Sequence, residues 1–178
     1  MRPTLLLMPL LPALALMAQT PNPPIENEFV RVVWATDQPA PKPGALHEHK
    51  QNRVMIYLDS GDMQIKYANG QVDNQHWKAG DVAWSQANGM HTSQNVSSKP
   101  LRIVEIEVRS AGGGSAVPPP AGIHALIDNP QVLVYRGSKP PTGKHYVAVN
   151  ARTGAAGWDK MPDGAGPFVI TELKVANK

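Results

Sequence analysis

The chain contains no cysteine. Disulfide frameworks, thiolate zinc sites and cysteine nucleophiles are therefore excluded. Charged residues are sparse at 17%, and the 17 basic and 14 acidic side chains leave a formal charge of only +3 with no basic run. Nucleic acid is accordingly not an expected partner. Beyond residue 20 no stretch carries helical periodicity, and none is apolar for long enough to span a bilayer. A phosphate-binding glycine loop, a Ser-His-Asp order and HExxH are all missing.

The first eighteen residues differ from the rest. Met1-Arg2 gives a positive start, and Leu5 to Ala18 is an apolar run broken by Pro9 and Pro12. This pattern predicts a secretory signal over 1–18, with cleavage near Ala18 or Ala15. The competing reading, a membrane anchor, asks a short run to span the bilayer. Residues 19–26 read as an extended leader. The mature chain is then expected in the periplasm or outside the cell, away from the membrane.

What is plentiful is turn-forming chemistry: 18 prolines and 15 glycines within a chain that is 42% hydrophobic. That combination suits short strands with frequent turns. Strands are predicted at Phe29–Trp34, Arg53–Leu58, Met63–Tyr67, Gln71–Trp77, from Val82, and at Leu101–Val108. Asn69-Gly70 between two of them supplies a tight hairpin turn. This spacing predicts an all-β, antiparallel sandwich or barrel over residues 27–109. Residues 110–120 form a glycine- and proline-rich linker. Over 121–178 three strand-like runs echo the first block: Val132–Tyr135, Tyr146–Asn150 and Phe168–Lys174. They are too few for a second barrel. They are expected to extend the first, and exposed edges make a homodimer the expected assembly.

Two of the six histidines lie at His47-Glu48-His49, and His91 follows on a later strand. Side chains two apart on a strand share a face, so His47 and His49 can point together into a barrel. Three imidazoles would leave positions open on Fe, Zn, Ni or Mn. The segment from Gly44 through His47-Glu48-His49 to Gly61 resembles the first motif of the cupins. Gly80, His91 and Asn95 resemble the second in their spacing. The resemblance implies a cupin-type β-barrel (jelly roll) whose metal ligands are His47, His49 and His91. The cupin glutamate ligand would fall at Arg53 or Val54, and neither can bind a metal. Gln86 and Asn88 depart from the usual proline and glycine.

Arg53 carries two readings. Facing inward, its planar fork could hold a substrate carboxylate. At an edge it would pair with an acid such as Asp59 or Glu105. Strand alternation puts Arg53, Met55 and Tyr57 on one face and Val54, Ile56 and Leu58 on the other, and does not say which is interior. His76, His124 and His145 read as surface or turn residues. Trp77 and Trp84 read as packing, and Glu105 with Glu107 as a solvated pair.

The resemblance leaves three functions open. One is an exported metal-binding cupin acting on a small organic molecule, with oxygenation, isomerisation and lyase chemistry all possible. Another is a metal-free module for a sugar or small acid. The third is a non-catalytic assembly protein.

Overall fold

The structure, a computed structural model, describes residues 24–110, 112, 114 and 120–176. The expected export signal and most of the linker lie outside the described residues. Eight strands come first: β1 (Val30–Asp37), β2 (His47–His49), β3 (Asn52–Tyr57), β4 (Gly61–Tyr67), β5 (Val72–Trp77), β6 (Val82–Ser85), β7 (Asn88–Asn95) and β8 (Leu101–Val108). Five follow: β9 (Ala125–Asp128), β10 (Val132–Gly137), β11 (Tyr146–Asn150), β12 (Ala156–Trp158) and β13 (Phe168–Leu173). No helix occurs among the described residues.

The pairing of the first eight is nested. β1 pairs with β8, β2 with β7, β3 with β6 and β4 with β5, all antiparallel. A long hairpin folded over on itself deals such pairs alternately into two sheets. Here these are β1-β8-β3-β6 and β2-β7-β4-β5. That order is a jelly roll. Its two sheets stay separate and do not close into a continuous barrel.

The C-terminal strands depart from expectation. They do not extend the first sheet; they form a sheet of their own, ordered β12-β11-β13-β10-β9. The reason lies in β10 and β11, which read Val-Leu-Val-Tyr and Tyr-Val-Ala-Val and are apolar on both faces. A strand of that kind belongs in a sheet covered on both sides, not at an edge. Val134, Val147, Val149 and Val169 join Val54, Ile56, Val104 and Ile106 in one core, so this sheet stacks on the outer face of β1-β8-β3-β6. Leu133, Tyr135, Tyr146, Ala148 and Ile170 pack on the opposite side with Ile123 and Met161.

The weak echo in the sequence has a structural counterpart. The order β10-β13-β11-β12 repeats β1-β8-β3-β6. Val54 stands opposite Trp84, as Val147 stands opposite Trp158. Asn27 Oδ1 accepts from the amides of Phe29 and Val30 at 2.8 and 3.0 Å, and Asn129 Oδ1 accepts from those of Gln131 and Val132 at 2.9 Å each. The same side-chain turn thus launches the first strand of each copy. The second copy retains one sheet of the roll. Side-chain hydrogen bonds tie the copies together: Trp34 Nε1 donates to the Gly154 carbonyl at 2.7 Å, Arg136 Nη2 to the Gly80 carbonyl at 2.6 Å, and Asn52 Nδ2 to Gln131 Oε1 at 2.5 Å.

Candidate functional site

The sheet β1-β8-β3-β6 is the middle layer, so β3 is buried on both faces. Val54 and Ile56 face the C-terminal sheet, while Arg53, Met55 and Tyr57 face the space between the roll's two sheets. That space is a cavity of about 620 Å³. Its walls carry the three histidines and Arg53, and also Asp37, Ser85 and Glu105.

His47 and His49 sit on β2, and His47 pairs in register with His91 on β7. Ring centroids are 4.6 Å apart for His47–His91, 4.9 Å for His47–His49 and 5.3 Å for His49–His91. Their ligating nitrogens all lie within 4.8 Å of one another. His47 Nδ1 meets the Ala45 carbonyl at 2.9 Å, and His91 Nδ1 meets the Gly89 carbonyl at 3.0 Å. A carbonyl only accepts, so each Nδ1 carries a proton, and in the neutral ring the lone pair then lies on Nε2. That tautomer offers Nε2 to a metal. Burial, and then the charge of Arg53, push the pKa of His49 down to about 4, so this imidazole is neutral at neutral pH.

The other motif residues have structural work. Gly80 adopts φ +89° in the turn before β6, where its carbonyl receives Arg136. Asn95 is buried; its amide donates to the carbonyls of Asp37 at 2.7 Å and Lys99 at 2.8 Å, bracing the end of β7. Gly61 lies so close to the Ser97 hydroxyl that an added Cβ would meet it at 2.7 Å.

Arg53 is interior, with 7% of its side chain exposed. Its guanidinium is also engaged. Nη1 donates to Glu105 at 2.7 Å and lies 3.1 Å from His49 Nε2; Nη2 donates to Ser85 at 3.0 Å. Both sequence readings of this arginine thus hold in part: it points inward, and it pairs with Glu105. Glu105 belongs to the cavity, not to a solvated face, while Glu107 lies 3.6 Å from Arg31. Asp59 pairs with Arg102.

Sequence reasoning missed Asp37, which ends β1 beside the cavity. Burial raises its pKa, and the charge of Glu105 adds to the effect. The signal was available in principle: a carboxyl closes a strand whose partner, β8, carries Glu105 inward. Tyr57, raised in pKa by burial and then by Glu105, stacks on Trp77 with centroids 3.9 Å apart. His76 is exposed beside Asp62, and His124 is exposed. His145 is half-buried against Phe29, with centroids 4.4 Å apart.

The donor set was tested for fit to the metal that the cupin resemblance implies. The free Nε2 lone pairs of His47 and His91 and the neutral ring of His49 suit a divalent transition metal. The one opposing contact is Arg53 Nη1, which occupies the Nε2 lone pair of His49 and brings a positive charge.

No protein-family model matches the chain, and no curated protein matches it. Solved structures do. A cupin domain from Bordetella pertussis shares 22% identity over 49% of this chain and 92% of its own, with a TM-score of 0.44. An RmlC-like cupin with a double-stranded β-helix fold from Methanocaldococcus jannaschii shares 17% over 47% of this chain and 73% of its own, with a TM-score of 0.39. A double-stranded β-helix protein from Klebsiella pneumoniae shares 24% over 51% of this chain and 80% of its own, with a TM-score of 0.38. These overlaps span half of the chain, and the nested strand pairing decides the fold. Val30–Val108 is a jelly roll. In this roll the histidines of β2 and β7 look across the cavity at Arg53 and Glu105 on the facing sheet.

Proposed function

We propose that the roll's cavity is a metal-dependent site for a small organic molecule, with one divalent transition metal held by His47, His49 and His91. The observation that carries this reading is the tethering of His47 and His91. Each Nδ1 is tied to a carbonyl two residues earlier, which orients its Nε2 lone pair for a ligand role. A bound dication would supply Lewis acidity and open coordination positions. Arg53, Glu105 and Ser85 would orient the molecule beside it, and the half-dry walls would limit water. The test is zinc titration of untagged protein. Wild type should take up zinc, and His47→Ala with His49→Ala should take up none while keeping its circular dichroism. Uptake unchanged in the double variant contradicts the assignment.

A second reading, a metal-free binding module, is favoured by one observation: Arg53 Nη1 lies where His49 Nε2 would meet a metal. The same titration separates the two. Export is a further proposal, supported by Met1-Arg2 and the apolar run to Ala18; N-terminal sequencing of chain recovered from an expressing cell tests it. A homodimer is proposed on the free edges of the sheets, and sedimentation of the full chain tests it.

A further inference from the structure

We propose that this cavity selects an uncharged, ring-sized organic molecule bearing carbonyl or hydroxyl oxygens, and discriminates against carboxylates. The inference rests on the cavity being the ligand site, as proposed above, but not on a metal being bound. Its first support is charge. Among the residues lining the cavity the one Lys or Arg is Arg53, and the lining also holds two carboxyl groups, Asp37 and Glu105. Glu105 already takes the Arg53 charge at 2.7 Å, and Ser85 takes Nη2 at 3.0 Å. An entering carboxylate would have to displace Glu105 from its counter-charge and then share the cavity with two other carboxyl groups. Like charges in a half-dry cavity repel strongly. An amide, ketone or alcohol meets no such cost.

The second support is the apolar part of the lining. Met55, Met63, Ile65 and Ile103 form an apolar floor with Tyr57, which stacks on Trp77. Thioethers and branched chains of this kind make good contact with a ring. A small multiply charged acid would leave that surface unused. The third support is a pair of unmatched donors. Arg53 Nε and Trp77 Nε1 are buried and have no hydrogen-bond partner. Both belong to cavity-lining residues, and a buried donor without a partner favours a ligand that brings an acceptor oxygen.

The experiment uses benzamide and benzoate, which share a ring and a shape and differ in charge. Each is titrated into the full chain at pH 7, first stripped of metal and then loaded with zinc. The readout is the Trp77 indole N–H resonance, assigned with Trp77→Phe. In the metal-free chain benzamide should shift that resonance and bind at least about tenfold more tightly than benzoate. Glu105→Gln frees the guanidinium and should raise benzoate affinity about tenfold. Benzoate binding metal-free wild type as tightly as benzamide overturns the proposal. So does failure of benzamide to move the Trp77 resonance. Should Glu105→Gln not fold, the wild-type comparison decides alone. A chain that takes no zinc yet prefers benzamide keeps this inference and loses the metal. A chain that takes zinc yet prefers benzoate in its metal-free form does the reverse.

Discussion

Removing the positive charge of Arg53 is the most informative single change to the cavity. The side chains of Arg53 and Glu105 are 7% and 13% exposed and 2.7 Å apart. Arg53→Gln leaves the Glu105 carboxylate in the cavity without its counter-charge. Breaking a fully buried pair by removing one partner costs about 3–5 kcal/mol, and water in this cavity lowers the expected loss to about 2–3 kcal/mol. For a domain of this size that corresponds to a fall in Tm of roughly 5–10 °C. Arg53→Gln combined with Glu105→Gln removes both charges and should lie within about 1 kcal/mol of wild type. Urea denaturation at pH 7 with chelator, followed by tryptophan fluorescence, measures all four corners of the cycle. A second effect follows from the contact with His49. Without the guanidinium, His49 Nε2 is free and a repelling charge is gone, so zinc should bind about tenfold or more tightly. A coupling energy within about 0.5 kcal/mol of zero, together with unchanged zinc affinity, would refute the network.

Other outcomes test the layers around the site. Thr171 is fully buried on β13 and its hydroxyl has no partner, so Thr171→Val should stabilise the chain by about 1 kcal/mol in urea melts. Val147 is fully buried between the stacked sheets, and Val147→Ala should cost about 1–3 kcal/mol by the same assay. Deleting residues 121–178 bares Val54, Ile56, Val104 and Ile106 and should cause aggregation or new association on a sizing column; a truncated chain that stays soluble with unchanged mass and Tm contradicts the stacked arrangement. For His49, lowered from 6.5 to about 4, the unfolded chain takes up a proton between those values that the folded, metal-free chain does not. Stability should therefore fall as pH drops through that window, by about 1–2 kcal/mol once partial exposure is allowed for, and His49→Gln should abolish that slope.

Much of the site was legible because its signals are local. His47-Glu48-His49 on a strand puts two imidazoles on one face whatever the rest of the chain does, and Asn69-Gly70 marks its turn. The orientation of Arg53 was not legible, because β3 alternates between two apolar faces. Both are apolar because the strand lies in the middle layer of three, a fact that depends on residues about eighty positions later. The stacking of the C-terminal sheet was legible in principle: Val132-Leu133-Val134-Tyr135 is an unbroken apolar run, the mark of a strand covered on both sides. Taking it for an edge extension overlooked that mark. Asp37 and Glu105 escaped because a carboxyl at a strand end or on alternate positions normally faces water. The pairing of β8 with both β1 and β3 gathers Asp37, Glu105 and Arg53 around one cavity.

The central claim is that the three histidines hold a metal. Elemental analysis of the full chain, expressed without a histidine tag and dialysed after exposure to Zn, Fe, Ni and Mn in turn, tests it most directly. The account predicts one equivalent per chain for at least one of these metals, lost in His91→Ala. A folded chain that retains none of the four contradicts it.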